Sequence, residues 1–394
     1  MLHSSGLNIL CVTDYYLPGI RAGGLISSIS GLRELLRDTA KIFVFTRSRD
    51  LGESRPYANV TANRWIETDV GPVFYADDQE FNLKGLKSAI SDQNFDAIYL
   101  NSFFSPCGSI LPLINRKFIP RTALRLPVVL APRGELSPAA LSIKSIKKTL
   151  YIAAARATGI YDNVHWQASS DAEARNIIKI FPIAAGRVHI ASDAVSWKEA
   201  IKTDIHSPRK CAVKIVFISR IAPIKNLDFL LLALIRLNHP ITLNIYGPIE
   251  DQNYWRSCLK LIASLPTNIV VSYEGTLAPS DIVATFAEHD LFAFPSRGES
   301  FGHVIFESLC AGTPVVTSDC TPWKSSTDGG IKTLSIDNVA SWQRAIEQMA
   351  VISPVSKLKM REDALACARS FIARSDSGPQ SISMFEKAIA SYKS

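Results

Sequence analysis

The chain alternates short apolar runs with longer segments whose apolar residues recur at helical spacing. The short runs show little polar alternation, which is typical of strands buried on both faces of parallel sheets. In the first half, the predicted strands are Asn8–Thr13, Lys41–Phe45, Asp96–Leu100, Pro127–Ala131 and His165–Ala168. In the second half, they are Val213–Ile218, Ile241–Tyr246, Ile269–Tyr273, Asp290–Phe294 and Pro314–Thr317. Helical patterns such as Leu227 to Leu237 and Ser341 to Val351 fill most gaps, so the pattern predicts an α/β fold.

The alternation stops between Ala194 and Ala212, where the sequence is polar and has no strand character. A chain of 394 residues is long enough for two or three domains. We therefore predict two Rossmann-like, doubly wound domains with parallel sheets. Their bounds are 1–195 and 212–374, with a linker over 196–211 and a helical segment over 375–394. Two such domains facing each other would leave a cleft at the carboxyl ends of their strands, where open α/β sheets bind ligands.

The composition fits a globular protein, with 47% hydrophobic and 20% charged residues. The longest apolar stretch, Phe229 to Ile235, is too short to cross a bilayer, and the N-terminus predicts no signal peptide. Seven scattered cysteines without C-x-x-C spacing favour reduced thiols and a cytoplasmic protein over a disulfide frame or a zinc site.

The net charge of +7 is compatible with nucleic acid, an anionic membrane or a phosphorylated substrate. Known nucleic-acid-binding motifs are absent from the sequence, so we expect no nucleic-acid partner. One basic cluster contains Lys144, Lys147, Lys148 and Arg156, interleaved with Ile143, Ile146 and Leu150 at helical spacing. It reads either as a solvated helix face or as a basic amphipathic helix at the inner face of the cytoplasmic membrane.

The segment from Pro295 to Glu307 combines a buried strand end, a Gly-containing loop and a helix start. Glu299 lies just before the predicted helix and Glu307 inside it. Helix N-termini bind phosphate through unpaired N–H groups and a partial positive charge, whereas carboxylates accept hydrogen bonds from sugar hydroxyls. The combination favours a ligand that is part anion and part polyol, such as a nucleotide sugar. The alternative is that both glutamates only complement the helix dipole.

Two cations, Arg220 and Lys225, follow the first predicted strand of the second half. Arginine can bind a diphosphate bidentately and lysine as a point charge, although two surface cations on a loop would look the same. In the first half, Gly23 and Gly24 precede a predicted helix, where a backbone can approach a ligand closely. Arg133 follows the strand that ends at Ala131 and is expected to project from the carboxyl edge of its sheet. The sequence contains neither G-x-G-x-x-G nor a P-loop.

In this order, these pieces resemble the retaining glycosyltransferases of the two-domain GT-B fold, family 4, also described as glycosyl transferases group 1. The resemblance rests on the Gly-Gly loop, on Arg220-x4-Lys225, on Glu299-x7-Glu307 and on the Ala311 to Asp319 run, and it spans nearly the whole chain. Pro132 to Pro138 and Thr321 to Lys324 resemble a bacterial subgroup that makes surface polysaccharides.

The resemblance implies roles for individual residues. Arg220 and Lys225 would bind the donor diphosphate, and Glu299 would contact the transferred sugar. Glu307 would accept hydrogen bonds from the ribose hydroxyls. The remaining donor-binding residues would be Gly247, Gly275, Ser300, Phe301, Gly302 and His303. The acceptor side of the cleft, in the N-terminal domain, would include Gly23, Gly24, Arg133 and Gly134. In this fold, the last helix usually crosses back onto the N-terminal domain.

The implied reaction is transfer of a hexosyl unit, with retention, from a nucleotide sugar to a glycan or lipid-linked glycan, without a metal or another cofactor. One departure concerns Arg133-Gly134, since many family members carry a histidine in that segment; this puts acceptor contacts in doubt, but not the donor site. Two alternatives stay open. A nucleotide-sugar epimerase shares the architecture, and a non-catalytic nucleotide-sugar-binding scaffold of a polysaccharide assembly complex would retain the donor residues.

Overall fold

The computed structural model describes residues 6–69, 71–143, 145–195, 212–326 and 329–393. The chain divides into two compact units, one formed by Met1–Ser196 with Ser375–Ser394 and the other by Trp197–Arg374. The predicted linker 196–211 lies outside the described residues. All ten predicted strands are present within one or two residues of their expected ends. The predicted fold class, with two mostly parallel, doubly wound sheets, is confirmed.

The first unit is built on an eight-stranded sheet. Its strands are β1 (Leu7–Val12), β2 (Ala40–Arg47), β3 (Trp65–Thr68), β4 (Gly71–Ala76), β5 (Ala97–Asn101), β6 (Val128–Ala131), β7 (Val164–Ala168) and β8 (Val188–Ile190). Their spatial order is β3-β4-β2-β1-β5-β6-β7-β8. The β3–β4 pair is antiparallel and the other neighbours are parallel. The chain therefore winds outward in both directions from β1.

Helices cover both faces of this sheet. They are α1 (Gly24–Leu36), α2 (Leu83–Ser91), α3 (Leu111–Phe118), α4 (Pro138–Ser142), α5 (Ser145–Thr158) and α6 (Asp171–Ile180). One apolar core includes Trp166 of β7 and Phe103, which follows β5, together with Leu113 of α3 and Ala155 of α5. Helices α3 and α5 thus pack on the same face. The opposite face forms a second core that includes Ile29 of α1.

The second unit contains a six-stranded sheet that is parallel throughout the described residues. Its strands are β9 (Val213–Ile218), β10 (Ile241–Tyr246), β11 (Ile269–Gly275), β12 (Leu291–Phe294), β13 (Val315–Ser318) and β14 (Ile331–Leu334). The helices are α7 (Leu227–Leu234), α8 (Gln252–Ala263), α9 (Ile282–Ala287), α10 (His303–Cys310), α11 (Val339–Val351) and α12 (Pro354–Ala373). The spatial order is β11-β10-β9-β12-β13-β14, which puts the topological switch between β9 and β12. Ligands of open α/β sheets bind outside the carboxyl ends of strands at such a point.

The final helix, α13 (Ser377–Lys393), belongs to the first unit. Phe385 of α13 is fully buried and meets Tyr99 of β5 edge-to-face, with ring centroids 5.5 Å apart. Edge-to-face aromatic pairs contribute about 0.5–1.5 kcal/mol beyond the area that they bury. The helix is therefore part of the core on the α1 face of the sheet.

Four strands were not predicted from the sequence: β3, β4, β8 and β14. Three of them form sheet edges, and β4 pairs with the edge strand β3. Edge strands bury less surface, so they lack the continuous apolar runs that mark central strands. The strand β4 also begins with Gly71-Pro72, which is typical of a turn.

Candidate functional site

The loop after β9 carries both predicted cations at the switch point of the second sheet. Arg220 lies two residues beyond the strand, and Lys225 ends a short 3₁₀ turn that leads into α7. The guanidinium of Arg220 forms an ion pair with Glu250, and the two side chains are 39% and 45% exposed. Ion pairs at this exposure contribute little to stability, so Arg220 can exchange its carboxylate partner for a ligand anion at small cost.

The loop after β12 carries Glu299 and faces the loop after β9. The Lys225 ammonium Nζ lies 2.5 Å from Oε1 of Glu299, and the two side chains are only 13% and 12% exposed. The Ser296 hydroxyl donates a hydrogen bond of 2.8 Å to the same oxygen. The structure thus brings together two of the three residues predicted to be catalytic, with their charges balanced.

A second set of contacts joins the same two loops independently of that ion pair. Asn226, in the left-handed conformation with φ 62°, donates from Nδ2 to the carbonyl of Pro295 over 3.0 Å. Arg297 donates from Nε to Oδ1 of Asn226 over 2.9 Å. These polar contacts, of which the one between Asn226 and Pro295 is buried, hold the loops in place, and the sequence analysis missed their role. The only signal for Asn226 in the sequence is its position at the start of a helix after the cation loop.

The predicted phosphate-binding segment runs into α10. Gly302 has a positive φ of 86° and is the N-cap residue directly before α10. Phe301 is buried against Trp323, whose Nε1 donates a hydrogen bond of 2.6 Å to the Phe301 carbonyl. This packing fixes the entry into α10, where helix N–H groups favour an anion. The flanking predicted residues Ser300 and His303 are half-buried, and Glu307 is half-buried in the second turn.

Gly247 and Gly275 lie at the ends of β10 and β11, on the same edge of the sheet as Arg220. The Gly247 N–H donates to the carbonyl of Gly275 over 2.7 Å. Gly247 has a φ of 128°, and a Cβ there would lie 1.9 Å from the carbonyl oxygen of Ser219. Only glycine fits this position. A side chain at Gly247 would push the loop that carries Arg220 away from the edge.

At the carboxyl edge of the first sheet, Arg133 lies in a buried polar network. Its guanidinium forms an ion pair with Asp193, whose side chain is 2% exposed. It also donates from Nη2 to the Tyr99 hydroxyl over 2.6 Å and to Oδ1 of Asn101 over 2.9 Å. Burial alone lowers the pKa of Arg133, but the neighbouring Asp193, Tyr99 and Glu173 outweigh it, so that its pKa is raised. The sequence predicted that the Arg133 side chain would project from the carboxyl edge of the sheet. That prediction is wrong, because the guanidinium is buried in the first unit and paired with Asp193.

The backbone around Arg133 shows why it takes this direction. Arg133 and Gly134 have positive φ values of 56° and 77°, and the Gly134 N–H donates to Glu173 over 2.6 Å. Ser28 of α1 donates to the second oxygen of Asp193 over 3.0 Å. The network therefore connects β5, β6, α6 and α1. Asp193 was missed by the sequence analysis because it follows β8, which was not predicted.

The glycine loop after β1 leads into α1. Gly23 has a φ of 53°, and a Cβ at this position would meet no heavy atom within 4 Å. Glycine is therefore favoured here by the positive φ of the turn and not by close packing. Gly24 is the first residue of α1. The neighbouring Asp14 was not predicted as a site residue. Burial raises its pKa, against the opposing effects of a hydrogen bond with Ser105 and of the charge of Arg47.

The basic cluster lies on α5. Lys147 is exposed, whereas Lys148 is half-buried. The Lys148 ammonium donates to the Ala140 carbonyl over 2.6 Å and lies 5.0 Å from the centroid of the Phe104 ring. Lys144 lies outside the described residues. Within the described part of the chain, no helix is long and apolar enough to cross a membrane, and no group of three or more His, Cys, Asp or Glu side chains could hold a metal ion.

Comparison with known families matches residues 212–350 to the family described as "Glycosyl transferases group 1". The chain is thus similar to glycosyl transferases group 1 over residues 212–350, a stretch that includes Arg220, Lys225, Glu299 and Glu307. Among curated proteins, the chain is 25% identical over 222 residues to the D-inositol 3-phosphate glycosyltransferase of Gordonia bronchialis, covering 52% of this chain and 48% of that protein. It is 29% identical over 170 residues to the protein of the same name from Mycobacterium sp. strain KMS, covering 42% and 37%. The matches span about half or less of these relatives.

Two solved structures match nearly the whole chain in fold. HepE from Anabaena, solved with UDP and glucose, has a TM-score of 0.70 at 19% identity, with 98% of this chain and 99% of that chain covered. Sucrose-phosphate synthase from Thermosynechococcus elongatus has a TM-score of 0.73 at 14% identity, with 98% and 100% covered. At these identities, the likeness shows the fold alone. Both units of this protein thus have the architecture of known glycosyltransferase structures.

Proposed function

We propose that this protein is a glycosyltransferase that moves a hexosyl unit from a nucleotide-diphosphate sugar to a hydroxyl of a glycan or lipid-linked glycan. The observation that carries the proposal is the arrangement at the β9/β12 switch point. Arg220 and Lys225 lie there with Glu299, and Glu307 lies on the helix that follows. Two cations match the two charges of a diphosphate, and carboxylates match the hydroxyls of ribose and sugar.

The ion pairs of Arg220 with Glu250 and of Lys225 with Glu299 suggest how a donor binds. A diphosphate that enters beside Lys225 competes with Glu299 for the ammonium, and one beside Arg220 competes with Glu250. Release of Glu299 leaves its carboxylate available for the hydroxyls of the transferred sugar. In the transition state, Arg220 and Lys225 stabilise the charge that develops on the leaving diphosphate.

We propose that the reaction proceeds with retention and without a metal. The bond between the anomeric carbon and the phosphate oxygen breaks while the acceptor oxygen bonds to the same face of that carbon. The acceptor proton passes to the departing phosphate, so no separate base is needed. The positive charge that a metal ion would contribute is supplied by Arg220 and Lys225.

The names and bound ligands of similar proteins indicate which donor and which acceptors to test first. HepE was solved with UDP-glucose, which supports a uridine nucleotide as the first choice. The curated relatives are named for an inositol phosphate acceptor, whereas Pro132 to Pro138 resembles a surface-polysaccharide subgroup. We favour a polysaccharide acceptor in exopolysaccharide, lipopolysaccharide or capsule synthesis in the cytoplasm. Inositol 3-phosphate is the competing acceptor.

The test is a thermal-shift panel of UDP, GDP, ADP and their sugars without added metal, followed by transfer assays with the best donor. A ligand at one hundred times its Kd stabilises the unit that binds it by about 2.7 kcal/mol. We expect one base to raise Tm and Lys225→Ala to abolish that rise, with Lys332→Ala, an exposed lysine of the same unit, as the matched control. NMR of the product then reports the anomeric configuration.

Each alternative has its own outcome. Donor binding without transfer or hydrolysis would favour a scaffold, and conversion of the donor into its epimer would favour an epimerase. No shift with any nucleotide, from folded protein, would contradict the donor site. Transfer that is lost on dialysis against EDTA and restored by Mg²⁺ would contradict the metal-independent mechanism.

A further inference from the structure

Two neighbouring helices of the first unit expose an unusual amount of apolar surface. Among the described residues, eighteen large apolar side chains are exposed, and seven of them lie between positions 111 and 150. On and just after α3, they are Leu111, Ile114, Phe118 and Ile119; just before and on α5, they are Ile143, Ile146 and Leu150. Ile146 and Leu150 are 76% and 65% exposed. The apolar residues that were expected to give α5 a helical stripe therefore face away from the core.

These seven side chains belong to one side of the sheet. The strands β5, β6 and β7 are neighbours in that order, α3 connects β5 to β6, and α5 connects β6 to β7. Both helices contribute buried residues, Leu113 and Ala155, to the same core. The ends of these connections also meet, since Lys117 lies 3.2 Å from Asp162. We call the outer sides of α3 and α5 the α3–α5 face.

The charge of the chain is concentrated in the same segment. Residues 111–160 contain nine Lys or Arg and one Asp or Glu, a net charge of +8. Since the whole chain carries +7, all remaining residues together carry −1. Two of these charges are no part of the surface: Glu135 accepts hydrogen bonds from the Ser102 hydroxyl and the Phe103 and Phe104 N–H groups, and Arg133 is paired with the buried Asp193. Just beyond the segment, Asp162 is paired with Lys117. Lys117, Arg121, Arg125, Lys147 and Arg156 are exposed.

We propose that the α3–α5 face docks on an anionic lipid bilayer. Exposed Ile, Leu and Phe side chains can enter the interface between headgroups and acyl chains, and the surrounding cations attract anionic lipids. A nucleic acid would match the charge but leave the apolar side chains without a partner. An acidic protein would need a complementary groove, whereas two helices with apolar outer sides fit the plane of a membrane. The proposal extends the expected basic helix to α3 and does not depend on the proposed glycosyl transfer.

The test is vesicle flotation with purified full-length protein. We expect binding to vesicles in which one third of the phosphatidylcholine is replaced by phosphatidylglycerol, weaker binding to phosphatidylcholine alone, and partial release at high salt. Lys147→Glu should weaken binding, because each cation near an anionic surface is worth about a fivefold change in partition and a glutamate adds repulsion. Ile146→Ser/Leu150→Ser and Ile114→Ser/Phe118→Ser should each lower binding at least tenfold while leaving Tm unchanged, because these side chains are exposed.

Matched controls lie elsewhere on the surface. Arg37→Glu changes another exposed cation of the first unit, at 75% exposure. Val351→Ser/Val355→Ser changes exposed apolar residues of the second unit, at 67% and 77% exposure. Both should bind like the wild type. The proposal is overturned if anionic vesicles are not bound, or if the controls weaken binding as much as the α3–α5 variants. It is also overturned if duplex DNA competes fully with vesicles while the serine variants bind normally, since binding would then depend on charge alone.

Discussion

The two sheets end in carboxyl edges of the same kind, but their cations are held differently. In the first unit, Arg133 is tied to a nearly inaccessible carboxylate, Asp193, and to two further side chains. In the second unit, Arg220 is paired with the half-exposed Glu250. Lys225 is paired with Glu299 on a loop that a separate set of contacts already holds. The carboxyl edge of a doubly wound sheet can thus hold a cation either in a buried structural network or in a loop that a ligand could reach.

The two edges differ in the free energy needed to separate each cation from its carboxylate partner. Separating Arg133 from Asp193 would leave a buried charge without its main partner, which is costly. Separating Arg220 from Glu250 exposes two charges that water already reaches. The first edge therefore uses its cation to hold β5, β6, α6 and α1 together. The second edge keeps Arg220 exchangeable for a ligand, whereas its Lys225 is paired with a largely buried carboxylate. The largest effects on stability are expected at the first edge and the largest effects on chemistry at the second.

The strongest test replaces Arg133 with methionine. Arg133→Met removes the guanidinium but keeps much of the side-chain volume, and it breaks the ion pair with the buried Asp193. We expect the free energy of unfolding of the first unit to fall by about 3–5 kcal/mol, measured by urea denaturation. Arg220→Met should change it by less than about 1 kcal/mol.

A stable Arg133→Met protein would reverse that comparison. If it unfolds like the wild type but loses transfer activity, Arg133 acts on a ligand, as the sequence first suggested, and the two edges are functionally alike. The double variant Arg133→Met/Asp193→Asn gives a further check. It should recover part of the lost stability, because a neutral amide costs less to bury than a charged carboxylate.

The second test concerns Lys225. Lys225→Ala should lower the rate of transfer about 10²- to 10³-fold, because it removes one of the two charges proposed to stabilise the leaving diphosphate. The loop should keep its place, since the contacts of Asn226 with Pro295 and Arg297 remain. Loss of the largely buried ion pair with Glu299 should lower Tm without ligand. We expect initial-rate assays, run well below the Tm of the variant, to differ mainly in kcat. A turnover near that of the wild type would refute the role of Lys225.

The central strands and the positions of Arg220, Lys225 and Glu299 were predictable because both depend on local sequence. Buried parallel strands require unbroken apolar runs, and Arg220, Lys225 and Glu299 follow such runs directly. The pairing of Lys225 with Glu299 depends on β9 and β12 being neighbours although two strands separate them in the chain. That order could be anticipated only from the resemblance to a known fold.

The network of Arg133 shows where prediction from sequence fails. Its partners Tyr99, Asn101 and Asp193 come from segments up to 94 positions apart in the chain, and nothing local marks any of them as a partner. The direction of the Arg133 side chain also depends on a positive φ at a non-glycine residue, which is uncommon and is stabilised here by tertiary contacts. On the α3–α5 face, helical spacing indicated an amphipathic helix but not that its apolar side would remain exposed.

The smallest of the three expected effects concerns Glu307, which lies on α10 and not in either loop. Glu307→Ala should weaken binding of the preferred nucleoside diphosphate by about 1.5–3 kcal/mol, since hydrogen bonds to a charged acceptor contribute about that much. Titration calorimetry measures the effect, with Glu347→Ala as the control, because Glu347 is a half-buried helical glutamate of the same unit.

A second titration, with the 2′-deoxyribose form of the same nucleotide, tests the ribose contact directly. If Glu307 accepts from the ribose, the deoxy compound should bind the wild type more weakly, and the variant should discriminate less between the two sugars. If the wild type and the variant discriminate equally between the ribose and deoxyribose nucleotides, Glu307 does not contact the ribose. The proposed ligand-binding charges of the second edge would then be Arg220 and Lys225.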